Sequence, residues 1–97
     1  MLFEWDPDKN EANLEKHGVS LKEAKVIWEQ EHLETESIAY SLDDENRNAT
    51  VGWIGEEIYV AIWTWREDRI RLISVRRARS YEKEIFIKRL QDQQGNG

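Results

Sequence analysis

Residues Arg47–Arg77 read RNATVGWIGEEIYVAIWTWREDRIRLISVRR, and this stretch decides the fold. It divides into three extended runs, Arg47 to Ile54, Glu57 to Trp65 and Arg69 to Arg77, separated by Gly55-Glu56 and Glu67-Asp68. A two-residue connection with glycine first suits a tight β-hairpin, because its first turn position needs a positive φ that glycine adopts without steric cost. The central run is apolar in both registers, with Ile58, Val60 and Ile62 alternating against Tyr59, Ala61, Trp63 and Trp65. A strand with two apolar faces is covered on both sides and belongs in the middle of its sheet. In the third run, simple alternation places Ser74 and Arg76 with Ile70 and Leu72. It places Arg69, Arg71 and Arg77 on the other face with Ile73 and Val75.

Outward from this meander the local signals agree. Downstream, a helix from about Arg79 to Gln91 turns Tyr81, Ile85, Phe86 and Leu90 inward. The polar residues 92–97 after it read as a disordered tail. Upstream, His32 to Tyr40 reads as an edge strand, followed by an acidic turn at Asp43–Asn46. Before it lie a short strand, Leu2–Trp5, and a helix from about Pro7 to His17. Asp6 suits the N-cap of that helix and Pro7 its first turn, where a missing N–H costs nothing. Gly18 suits the left-handed residue that ends it. Ser20-Leu21-Lys22-Glu23 is a capping box opening a second helix, with Leu21, Ala24, Ile27 and Trp28 on one face. The expected architecture is one α+β domain over residues 1–91, with two N-terminal helices, an antiparallel sheet and a C-terminal helix.

Composition narrows the class. The 97 residues suffice for one core, and five Trp, three Tyr and two Phe offset a hydrophobic content of only 39%. With no cysteine, neither a disulfide nor a thiolate metal site holds the fold. No apolar run approaches the ~20 residues that cross a bilayer, and no signal peptide is visible, so the expected location is the cytoplasm. Charge is divided along the chain. Residues 1–65 carry five basic and fifteen acidic side chains, whereas residues 66–97 carry nine basic and five acidic. Six arginines, Arg66, Arg69, Arg71, Arg76, Arg77 and Arg79, fall between Thr64 and Ser80. A basic patch on a chain of net charge −6 points to a local anion site, with phosphate the first candidate, and not to indiscriminate polyanion binding. The competing reading is a solvated, salt-bridged face.

Two separated groups of residues carry a resemblance. Phe3-Glu4-Trp5-Asp6-Pro7, Lys9-Asn10, Asn13 and Lys16-His17-Gly18-Val19-Ser20 form the first, and Arg69–Ser74, Arg76-Arg77-Ala78 and Glu82 the second. In this order and spacing they resemble the BrnT family, toxins of type II toxin–antitoxin modules. The resemblance covers about residues 2–86 and implies a RelE-like ribonuclease fold. It also implies a ribbon-helix-helix antitoxin (BrnA-like) as partner in a hetero-oligomer, with operator DNA bound only through that antitoxin. Trp65 stands where the family pattern more often has a polar residue, and Val75 where it more often has alanine.

Such a fold would inhibit translation by cutting RNA, with no metal or cofactor. It must activate a ribose 2′-OH, steady the in-line phosphorane and protonate the leaving 5′-oxygen. Arginine suits the middle task, since its planar fork of donors matches phosphate. Arg66 and Arg76 are the expected phosphate ligands, Arg79 a supporting contact and Arg77 a further RNA contact. Arg69 and Arg71 are expected to pair with acidic neighbours or meet the antitoxin. His17 is the acid–base candidate because imidazole titrates near neutrality, and Glu67 is a second; helix termination and turn formation are their competing roles. Lys16 would add positive charge, and Trp65 would stack on a base or, with Trp63, fill the core. His32, Glu34 and Glu36 alternate as a nominal metal set, but three ligands on an edge strand lack a closing fourth, so no metal site is expected. The main alternative is a catalytically weak subunit that binds the antitoxin and serves as co-repressor. A third, direct DNA binding, would require a salt-steep affinity for duplex without any partner.

Overall fold

The computed structural model describes residues 2–35 and 47–95. Strand β1 (Leu2–Trp5) leads into helix α1 (Pro7–His17), then helix α2 (Leu21–Ala24) and a 3₁₀ helix over Lys25–Glu29. Strands β2 (His32–Thr35), β3 (Asn48–Ile54), β4 (Glu57–Arg66) and β5 (Arg69–Arg77) follow, and helix α3 (Ser80–Gly95) ends the chain. The five strands form one sheet in the order β1-β5-β4-β3-β2.

The helix signals act as the local chemistry requires. Asp6 accepts from the Asp8 N–H at 2.8 Å, and Gly18, at φ 74°, donates its N–H to the Leu14 carbonyl at 2.9 Å. Both arms of the capping box form at 3.1 Å, Glu23 N–H to Ser20 Oγ and Ser20 N–H to Glu23 Oε1. The second helix nevertheless stays α-helical only through Ala24 and tightens to 3₁₀ where β-branched Val26 and Ile27 follow. Gly52 of β3 accommodates that segment: a Cβ there would meet Ile27 Cγ2 at 2.7 Å and His32 Cβ at 3.1 Å. At the other end α3 runs on to Gly95, so residues 92–95, expected as tail, continue the helix.

The sheet departs from expectation in two ways. It is mixed, because β1 pairs in parallel with β5, Phe3 opposite Ile70 and Trp5 opposite Leu72. Parallel pairing joins segments far apart in the chain, and a four-residue strand carries no pattern that names its neighbour. Second, β5 bulges. Trp63 pairs with Leu72 but Ile62 pairs with Ser74, which leaves Ile73 as an extra residue. The β3–β4 hairpin turns through Gly55 (φ 64°) as expected, and β4 is central. The edge strand β2 is described only as far as Thr35; the remainder of the expected strand and the acidic turn lie outside the described residues.

Each face of the sheet carries its own core. On one, Val19, Leu21, Ala24 and Ile27 pack against Ala61, Trp63, Ile70, Leu72 and Val75. The Trp63 indole N–H, buried with them, donates to Thr50 Oγ1 at 2.8 Å. On the other, Phe86 of α3 packs on Ala49, Val51, Ile58, Val60 and Ala78. Asn13 ties α1 to the sheet where β1 has already ended. Its carboxamide accepts from the Val75 N–H at 3.1 Å and donates to the Val75 and Val19 carbonyls, both at 2.8 Å. A side chain thus satisfies the backbone of β5 as a neighbouring strand would.

Candidate functional site

The bulge at Ile73 decides which arginines stand together. Simple alternation separates Arg76 from Arg69 and Arg71, but the extra residue inverts the phase of β5 between them. Cross-strand pairs make the outcome explicit. Arg66 lies opposite Arg69, Thr64 opposite Arg71, Ile62 opposite Ser74 and Val60 opposite Arg76, all on the α3 face. Arg77 falls opposite Tyr59 on the other face, together with Val75 and Leu72. Four arginines therefore share one face, and the expected division of the β5 arginines is corrected.

Three of these four are held by carboxylates, in two ways. Arg76 makes a two-pronged contact with Glu82 of α3, NH1 to Oε1 at 2.8 Å and NH2 to Oε2 at 2.9 Å. Glu82 also accepts the Arg79 N–H at 2.7 Å, and its carboxylate is fully buried. Burial is the largest single influence on that carboxyl and pushes its pKa up. The Arg76 and Arg79 hydrogen bonds, together with both guanidinium charges, outweigh it and hold the group below the ordinary carboxylate range. This cluster closes the N-terminus of α3 onto the sheet.

The second cluster is open. Farther along the same face, Glu4 of β1 lies 2.6 Å from Arg71 and 3.5 Å from Arg66. Their side chains are 23%, 31% and 62% exposed, respectively, so water and ligands reach all three. Arg69 is exposed beside them and has no carboxylate within 4 Å among the described residues. Phe3 and Trp5 turn toward the buried core of the opposite face, which leaves Glu4 on the arginine face. Arg71 pairs with an acidic neighbour as expected, Arg69 does not among the described residues, and Glu4 is the site residue that sequence reasoning did not place. Phe3-Glu4-Trp5 signals an outward carboxylate, but only the parallel pairing of β1 identifies its partners.

The remaining expected residues scatter. Arg77 is exposed near Glu57, 3.7 Å away, and Tyr59 foremost, then Glu57, raise its pKa above the ordinary value. Arg79 is exposed at the start of α3. Trp63 and Trp65 part company: Trp63 is 5% exposed, whereas Trp65 is 55% exposed and meets Trp63 edge-on, centroids 5.2 Å apart. The core-filling role therefore holds for Trp63 and fails for Trp65. Glu67 occupies a turn at φ 60°, exposed, with no ion pair to Arg69. Lys16 and His17 end α1, and no hydrogen bond, ion pair or ring contact joins either to an arginine among the described residues. His32 Nδ1 donates to the Gln30 carbonyl at 2.7 Å, while Glu36, its expected companion, lies outside the described residues. No group of three metal-ligating side chains occurs among the described residues.

Fold and site together define a small α+β protein presenting a cluster of exposed arginines on one face of its sheet. The family model described as ribonuclease toxin, BrnT, of type II toxin–antitoxin system matches residues 5–82, and the chain belongs to that family. Its members are ribonuclease toxins, and a type II module pairs each toxin with an antitoxin. No curated protein matches the chain. Among the described residues, no helix is long and apolar enough to cross a membrane.

Proposed function

We propose that this protein is a RelE-like endoribonuclease of the cytoplasm that inhibits translation by cutting RNA without a metal ion. In this reading a ribose 2′-oxygen attacks the adjacent phosphorus, leaving a 2′,3′-cyclic phosphate and a free 5′-hydroxyl. The observation that carries it is the grouping of Arg66, Arg69 and Arg71 on one sheet face, which the Ile73 bulge extends to Arg76. Negative charge grows on the phosphoryl oxygens in the transition state, and guanidinium groups gathered on one strand face stabilise that growth. In this reading Arg66, Arg69 and Arg71 touch phosphate. Arg76, whose fork is taken by Glu82, holds the α3 end of the same face. Exposed Trp65 stands opposite Ile70 on the other face of the sheet, so a base stacking on it would reach around the β4–β5 turn from the arginine face.

The partner in this reading is a ribbon-helix-helix antitoxin that covers the arginine face within a hetero-oligomer. The site already accepts a carboxylate, since Glu4 bridges Arg66 and Arg71. An acidic antitoxin segment would fill it in the same way. That same observation supports the second reading, a weakly active subunit that binds antitoxin and serves as co-repressor.

Induced expression in a bacterial host, with total RNA resolved on a gel, tests the proposal. Growth arrest with RNA loss is expected for the wild type and relief for Arg71→Ala. Normal growth and intact RNA with well-expressed, folded wild-type protein would favour the co-repressor.

A further inference from the structure

We infer that Glu4 is the general base that takes the proton from the attacking 2′-hydroxyl; the inference rests on the ribonuclease reading above. A base must lie within hydrogen-bond reach of a hydroxyl whose neighbouring phosphate is already bound. Glu57 meets one arginine, Arg77, at 3.7 Å on the other face. Among the described residues Glu4 is the solvent-accessible carboxylate set against two: its Oε2 lies 2.6 Å from Arg71 and 3.5 Å from Arg66. A phosphate held by those two guanidiniums would sit against this carboxylate. The side chain is 23% exposed, enough to be reached by substrate yet framed by the sheet.

The other candidates are placed less well. Glu82 is fully buried and its two oxygens are occupied by Arg76 and the Arg79 N–H. Glu67 and Asp68 are exposed at the β4–β5 turn without an arginine contact. His17 ends a helix with no contact to the arginine face. Position on β1 also suits the task. Glu4 lies directly opposite Arg71 in the parallel register, so backbone hydrogen bonding fixes the spacing between base and phosphate ligand.

The step balances with the groups at hand. The Glu4 carboxylate accepts the 2′-hydroxyl proton as the 2′-oxygen forms its bond to phosphorus. The bond from phosphorus to the 5′-oxygen breaks, the leaving oxygen keeps the electron pair, and water supplies its proton. The product is the cyclic phosphate, and the Glu4 proton returns to solvent. The two arginines therefore serve both partners: they orient the carboxylate in the free protein and hold phosphate when RNA is bound.

The test is single-turnover cleavage of an RNA oligonucleotide by the full chain, with wild type, Glu4→Gln and Glu4→Asp compared. Affinity for the same oligonucleotide fully 2′-O-methylated is measured alongside, because that strand binds but cannot react. Glu4→Gln is expected to slow cleavage by about 10²–10⁴-fold, the usual contribution of general base catalysis, while affinity stays level or rises. Glu4→Asp, which keeps the charge and withdraws it by one methylene, is expected to slow cleavage at least tenfold at unchanged affinity. Should Glu4→Gln misfold, Glu4→Asp decides alone. Unchanged or faster cleavage by the folded variants would make Glu4 a mere resting partner for the arginines and overturn the assignment. Wild-type protein that binds the methylated strand but cleaves no RNA would instead sink the ribonuclease reading itself, and the base with it.

Discussion

The same sheet face holds two arginine–carboxylate clusters of like composition and opposite character. At the α3 end, Glu82 is fully buried, meets Arg76 with both oxygens and takes the Arg79 N–H as well. At the β1 end, Glu4 touches Arg71 and Arg66 with one oxygen and remains open to water. Burial makes the difference. A desolvated carboxylate with both oxygens hydrogen-bonded is committed to the fold, since opening it would leave charges unpaired in a poor solvent. An exposed pair competes with water at little cost and can exchange one anion for another. Residue type alone does not separate a structural arginine from one available to bind.

The comparison can be broken most directly at its closed end. Glu82→Ala should destabilise the fold by about 3–5 kcal/mol, as breaking a buried pair does, read from urea or thermal unfolding. The pH dependence follows the same carboxyl. Its pKa is lower folded than unfolded, so its stabilisation is present above the ordinary carboxylate range, near about 4.5 for Glu. That stabilisation is lost as pH falls through the lower, folded value. The melting-temperature gap between wild type and Glu82→Gln should therefore be full at pH 7 and shrink toward pH 3. A gap that did not change with pH would mean that the pair does not act through ionised Glu82.

A neutral, equally buried connection supplies the control. Asn13→Ala leaves the Val75 N–H and the Val75 and Val19 carbonyls without their partner. It should cost about 2–4 kcal/mol by denaturant melts with no comparable pH dependence. At the open end the sign of the trade reverses. Arg71→Ala should change stability by less than about 1 kcal/mol. Its rate of RNA cleavage should drop by about 10²-fold, the usual loss on removing one preorganised charge donor. Equal losses of stability and activity there would erase the distinction between the clusters. The smallest effect is expected at the turn between Arg66 and Arg69. Glu67 sits at φ 60°, a conformation costly for any side chain with a Cβ. Glu67→Gly should raise stability by about 0.5–1 kcal/mol, seen as a few degrees in Tm, with cleavage unchanged unless the carboxylate takes part.

Much of this molecule was legible before folding. Asp6-Pro7, Gly18 and the Ser20–Glu23 box mark helix ends because capping uses groups within three or four residues of one another. Gly55-Glu56 sets the β3–β4 hairpin for the same reason. The double apolar face of β4 announced a central strand covered on both sides. The division of the β5 arginines between the two faces failed at the extra residue Ile73. A bulge is a property of two strands in register and leaves no mark in the alternation of one. The motif residues Asn10 and Asn13 were likewise visible but not interpretable. Asn10 accepts the Lys22 N–H at 2.9 Å and Asn13 reaches Val75, so each joins segments that local reasoning treats separately.

By itself, then, the sequence determined the order of the main elements, the central strand, the family and the presence of a basic end on an acidic chain. These follow from short-range sterics, periodicity and charge, all of which act along the chain. Only the tertiary structure decided that β1 lies parallel to β5, that Arg66, Arg69, Arg71 and Arg76 share a face, and that Glu4 stands among them while Glu82 is sealed away. Those are relations between residues as many as 67 positions apart, as Glu4 and Arg71 are. They are set by which backbone edge pairs with which and by what water can reach after the core has closed.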